Sequence, residues 1–137
     1  MTVRALILFL ILAVGAVSVG AQTRTTWPAT LLLNGATTTA TSFVYKPSGT
    51  VNTFQAFGAT TAGAGAATIV IEVSNIEDPA NGTNVDWITA GTITLTLATT
   101  RTSDGFGMVI PWRNVRARIT AISGTGAAVS VSMGRGQ

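Results

Sequence analysis

The chain has 137 residues, room for one ordinary domain, with 47% hydrophobic and only 9% charged residues. An average soluble domain is roughly a quarter charged, so charge repulsion contributes little here and covered surface in an assembly is expected. The eight Lys and Arg against five Asp and Glu give +3, with no Cys and no His, which leaves no disulfide, no thiolate metal site and no imidazole base, and too sparse a charge for a nucleic-acid footprint.

The chain opens with Met1-Thr2-Val3-Arg4, then an apolar run over residues 5–19 and Gly20-Ala21-Gln22. One positive charge, an apolar stretch and small residues at Val19 and Ala21 predict a leader over residues 1–21. It reads as a secretory signal cleaved after Ala21, or as a short hydrophobic helix serving as a membrane or assembly element. The run is short beside the roughly 20 residues that a span needs, so membrane contact through residues 1–21 is an expectation only. Trp27 precedes Pro28 in an N-terminal arm and is a candidate intersubunit anchor.

From Gln22 onward the hydrophobic period is two, and residues 22–137 are expected to form one all-β domain. Residues 30–33 and 42–46 read as short strands, and residues 51–57 as a third, with Val51, Phe57 and Phe54 near the core. Thr68-Ile69-Val70-Ile71-Glu72-Val73 puts Ile69, Ile71 and Val73 on one face. Thr92-Ile93-Thr94-Leu95-Thr96-Leu97 alternates apolar side chains with hydroxyls, and Val115-Arg116-Ala117-Arg118-Ile119 alternates with Arg outward. Ala127-Ala128-Val129-Ser130-Val131-Ser132-Met133 closes the series, and β-branched residues dominate throughout. Breaks fall at Gly63-Ala64-Gly65, Asn81-Gly82, Asp104-Gly105 and Gly124-Thr125-Gly126, residues suited to tight turns. Short antiparallel strands at this spacing predict a β-sandwich or jelly roll.

The loop from Glu77 to Asp86 gathers three carboxylates and two amides. Calcium loops need such oxygens, but the EF-hand spacing is absent and a solvated turn is expected; Asn81-Gly82-Thr83 also fits a glycosylation sequon. Arg113, Arg116 and Arg118 are candidates for contact with a negative partner or a neighbouring subunit, the alternative being a solvated strand face that protects an edge. Trp87 and Trp112 are candidates for sugar stacking, although each precedes an apolar run and equally fits packing at the end of a sheet. Catalytic, cofactor and metal residues are expected to be none: a Ser nucleophile lacks its usual base.

The stretch from about Gln55 to Gly134 resembles a domain of tailed-bacteriophage virion structural proteins. The likeness rests on Gly63-Ala64-Gly65-Ala66-Ala67-Thr68-Ile69-Val70-Ile71-Glu72-Val73, Asn84-Val85-Asp86-Trp87-Ile88, Ser103-Asp104-Gly105-Phe106, Pro111-Trp112-Arg113-Asn114-Val115-Arg116-Ala117 and Gly124-Thr125-Gly126-Ala127. It implies capsid decoration, cement, or a tail or spike component. Two features depart from it: the insert Ile76-Glu77-Asp78-Pro79-Ala80, where the family tends to a tighter turn, and the secretory-looking leader.

The expected function is therefore a virion-surface structural protein, not an enzyme, that binds copies of itself and other coat or tail subunits. A secreted or cell-surface β-sandwich adhesin or filament subunit is the alternative, and a carbohydrate-binding module with a host surface glycan as partner is a further one. No specific nucleic acid and no cofactor are expected.

Overall fold

The computed structural model describes residues 29–47 and 49–135. The expected leader over residues 1–21 and Trp27 lie outside the described residues.

Eight strands form: β1 (Thr30–Ala36), β2 (Ala40–Thr41), β3 (Val51–Ala59), β4 (Ala62–Ser74), β5 (Ile88–Leu97), β6 (Thr102–Val109), β7 (Asn114–Thr125) and β8 (Ala128–Arg135). They make two four-stranded antiparallel sheets, ordered β1-β8-β3-β6 and β2-β7-β4-β5. The pairs nest, β1 with β8, β2 with β7, β3 with β6 and β4 with β5, as in one long hairpin folded over itself. Among the described residues there is no helix.

The alternation read from the sequence locates the core. Ile69, Ile71 and Val73 of β4, Ile93, Leu95 and Leu97 of β5, and Val115, Ala117 and Ile119 of β7 turn inward from one sheet. Leu32, Phe54, Ala56, Val129, Val131 and Met133 meet them from the other in a single hydrophobic cluster, the arrangement of two sheets packed face to face. Each Val, Leu, Ile, Phe or Met among them contributes roughly 1.5–3 kcal/mol by leaving water.

The structure corrects several local readings. On β3 the inward residues are Asn52, Phe54, Ala56 and Gly58, so Val51 and Phe57 lie on the opposite face, half-buried. Parity explains it: a strand cannot turn residues 51, 54 and 57 to one side. Phe57 instead carries the Arg101 guanidinium 3.8 Å above its ring. Residues 42–46 are not a strand; only a bridge at Tyr45 to Val115 forms there, and the strand is the shorter β2.

Asp104-Gly105 is not a turn but the middle of β6, opposite Ala56 and Gln55. A Cβ on Gly105 would press on the carbonyl of Phe54, so this glycine permits close approach of two strands. Gly63-Ala64-Gly65 lies within β4, beside an irregular register, and Asn81-Gly82 sits inside a longer connection. A turn does fall at 124–126, with Gly124 at φ 112 and Gly126 at φ 61, angles that favour glycine, but it carries the chain from β7 to β8 in the other sheet and does not join a hairpin pair.

Strand directions bring three connections to one end of the molecule: residues 46–47 between β2 and β3, residues 75–87 between β4 and β5, and residues 110–113 between β6 and β7. The residues singled out for function gather at or near this end.

Candidate functional site

The outer face of the second sheet carries an ion cluster that organises this end. Glu72 on β4 and Arg116 on β7 are register partners, and Arg118 is opposite Val70. Arg116 Nε donates to Glu72 Oε2 at 2.8 Å, and Arg118 Nη2 donates to Glu72 Oε1 at 2.6 Å. Burial pushes the Glu72 carboxyl up, but hydrogen bonds from Arg118 and Arg116, with their charges, outweigh it and hold the group below the ordinary glutamate value. The hydrogen bond to Glu72 in turn raises Arg118.

Arg116 was expected to face outward into solvent; it is 1% exposed. The reason is the 75–87 connection, which is solvent-exposed along most of its length, as a solvated turn would be, but also lies over the sheet and covers this side chain. Arg116 Nη2 donates to Thr83 O at 3.0 Å and Asn84 Oδ1 at 2.8 Å, while Nη1 donates to Asn81 O and Oδ1. The guanidinium thus satisfies all its donors, one arm on the sheet and two on the loop. Asn81 Nδ2 reaches on to Ser42 O at 3.0 Å, and Asp86 Oδ2 accepts from Ala80 N at 2.9 Å. The insert at residues 76–80 is therefore part of a folded cover.

Trp87 belongs to the same construction. Its ring lies 4.2 Å from the Arg116 guanidinium carbon, its Nε1 donates to Ala80 O at 2.9 Å, and it is 8% exposed. A ring so enclosed offers no face to a sugar, which corrects its candidacy for stacking. The packing alternative describes where it sits.

Trp112 and Arg113 stand apart from that cluster. Trp112 is half-buried against the core, and Arg113 is exposed with its backbone N–H held by Asn75 Oδ1 at 3.1 Å. Next to it, Asn114 is buried and donates to Ile76 O at 2.6 Å. Two cavities meet at Trp112. One, of about 340 Å³, is lined by Lys46, Pro47, Glu77, Arg113 and Asn114 with the indole. The other, of about 400 Å³, is lined on its apolar side by Ile76, Val85 and Ile88. Those three are 47%, 90% and 56% exposed, an apolar patch in the open.

The structure thus separates the sequence candidates into two groups. Arg116 and Trp87 hold the cover, with Arg118 joined to Arg116 only through Glu72, whereas Trp112 and Arg113 face solvent-accessible cavities. Glu72, Lys46, Ile76, Val85 and Ile88 were not singled out. Period-two alternation does turn Glu72 outward on its strand and Arg116 and Arg118 outward on theirs, but that β4 and β7 are neighbours is tertiary. Nothing in the pattern marks Lys46, because its approach to Trp112 is purely tertiary. Among the described residues no group of three or more acidic side chains converges as a cation site.

No protein-family model matches the chain, and no curated protein matches it at a significant level. One solved structure, the crystal structure of the PBSX exported protein XepA, is similar at 18% identity and a TM-score of 0.48, over 80% of this chain and 38% of that one. The chain therefore spans well under half the length of that protein.

Proposed function

We propose that this chain is a non-enzymatic structural subunit of a virion surface, seated against copies of itself or other coat or tail subunits through the apolar patch on the 75–87 connection, with the cleft on the other side of Trp112 left open. The observation that carries the reading is the exposed apolar patch of Ile76, Val85 and Ile88, rimmed by Asn75 and Asp86 and held on a hydrogen-bonded cover. Isolated exposed hydrophobics are ordinary, but a contiguous set beside a half-buried Trp has the apolar centre and polar rim of a contact surface. In support, the nested strand pairs are those of an eight-stranded jelly roll, an architecture that capsid proteins use. The low charged content and the resemblance over residues 55–134 point the same way.

The mechanism is burial of area, not chemistry. Val85→Asp and Ile88→Asp together place charge in the patch, away from the core. Purified particles from a host expressing this double variant are expected to lack the chain, while wild-type particles contain it by intact mass spectrometry. Equal incorporation of the variant would rule out the patch as the contact, and recovery of the wild-type chain only in the secreted fraction with a mass starting at Gln22 would replace this reading with a secreted subunit.

A further inference from the structure

We propose that the cleft between Lys46, Glu77, Trp112 and Arg113 binds an acidic saccharide, a sugar ring bearing a carboxylate or a phosphate. Three charged groups line one cavity of about 340 Å³ beside an indole, a volume within the range of small-ligand sites. Among the described residues, Lys46, Glu77 and Arg113 make no ion pair with one another, the carboxylate at this end that does pair with arginine being Glu72. The cleft therefore offers two cations and one acceptor uncommitted to each other.

Its walls are set in advance. Trp112 packs against the core, the Arg113 backbone is tied to Asn75, and the Asn114 side chain is tied to Ile76 O, so the ordering left for binding is that of the exposed Lys46, Glu77 and Arg113 side chains. An indole face suits the C–H face of a pyranose. The guanidinium of Arg113, joined by Lys46, suits a carboxylate or phosphate, and Glu77 is an acceptor for a ring hydroxyl. The excess of one positive charge in the cleft favours an acidic sugar over its neutral counterpart. Trp87 is buried, whereas Trp112 keeps a side open to the cleft.

The test is a titration of the full-length protein with trigalacturonate, with glucose 6-phosphate and with uncharged trigalactose, followed by calorimetry and tryptophan fluorescence. The expected result is saturable binding of at least one acidic sugar, about tenfold or more tighter than trigalactose. Trigalacturonate alone identifies a carboxylate ligand, and glucose 6-phosphate alone a phosphate ligand. Lys46→Gln with Arg113→Gln alters two exposed side chains and is expected to abolish the preference while circular dichroism stays unchanged. Trp112→Leu is expected to weaken binding about tenfold. No saturable binding by either acid, equal affinity for trigalactose, or a preference that survives the Lys46/Arg113 double variant overturns the proposal. None of these outcomes depends on incorporation into particles.

Discussion

Glu72 is the residue on which most of the local electrostatics turns. The residue is 3% exposed, its carboxylate accepts from two arginines, and it is held below its ordinary value in the folded protein. In the unfolded chain it titrates near the usual glutamate value of about 4.3. A depressed folded value means that its contribution to stability is fully present above that pH and is lost as pH falls through the folded value. Urea unfolding of the wild type and of Glu72→Gln at pH 7 and pH 3 checks this. The gap between the two proteins is expected to be large at pH 7 and to shrink at pH 3; a gap independent of pH would mean that the charge itself contributes nothing. The acid was legible in the sequence only as an outward residue. Its burial was not, because that depends on a connection that returns across the sheet.

At the scale of the element, the 75–87 connection is the case where sequence reading and structure part. Its acids, amides, Pro and Gly have the composition of a solvated turn, and most of its side chains are exposed, but composition does not show that its backbone is anchored on the sheet. What holds it down is Arg116, which reaches from β7 to Asn81, Thr83 and Asn84 and lies on Trp87. Removing one member of a buried pair leaves the other charge and its neighbours unsatisfied, typically at a cost of about 3–5 kcal/mol. Arg116→Leu is expected to lose stability in that range and to open the connection to limited proteolysis between residues 75 and 87. Arg118→Leu, at a partly exposed position, is expected to cost less and to leave the connection resistant. Cleavage of the wild type at the same rate as Arg116→Leu would show that the cover is not held by this side chain. β6 carries the same lesson on a smaller scale. Asp104-Gly105 looks like a turn, but the glycine is there because β3 passes close, a contact between residues about fifty positions apart.

For the whole molecule, the nested pairing has a kinetic consequence. β1 pairs with β8 and β2 with β7, so the outermost ladders join residues from opposite ends of the described chain. Long-range antiparallel pairing requires loop closure before it yields contacts, and such topologies fold in roughly milliseconds to seconds. Stopped-flow refolding from urea is expected to fall in that window, and a microsecond relaxation would argue that the ladders form in another order.

What the sequence determined by itself was the all-β character and most of the core. Ile69, Ile71, Val73, Ile93, Leu95, Leu97, Val115, Ala117, Ile119, Val129, Val131 and Met133 all turn inward as their alternation requires. A period of two is a local property of the chain, and burying its apolar face is the dominant favourable term in folding. The glycine turn at 124–126 was legible for a similar reason, since positive φ is a demand of a few consecutive residues. The tertiary structure alone decided which polar residues are covered and which remain open. Arg116 and Arg118 look alike on one strand face, yet the first is sealed beneath a connection and the second is partly exposed. Trp87 and Trp112 look alike before their strands, yet Trp87 is buried whereas Trp112 borders open cavities. Those differences come from contacts between residues tens of positions apart, which local periodicity does not encode.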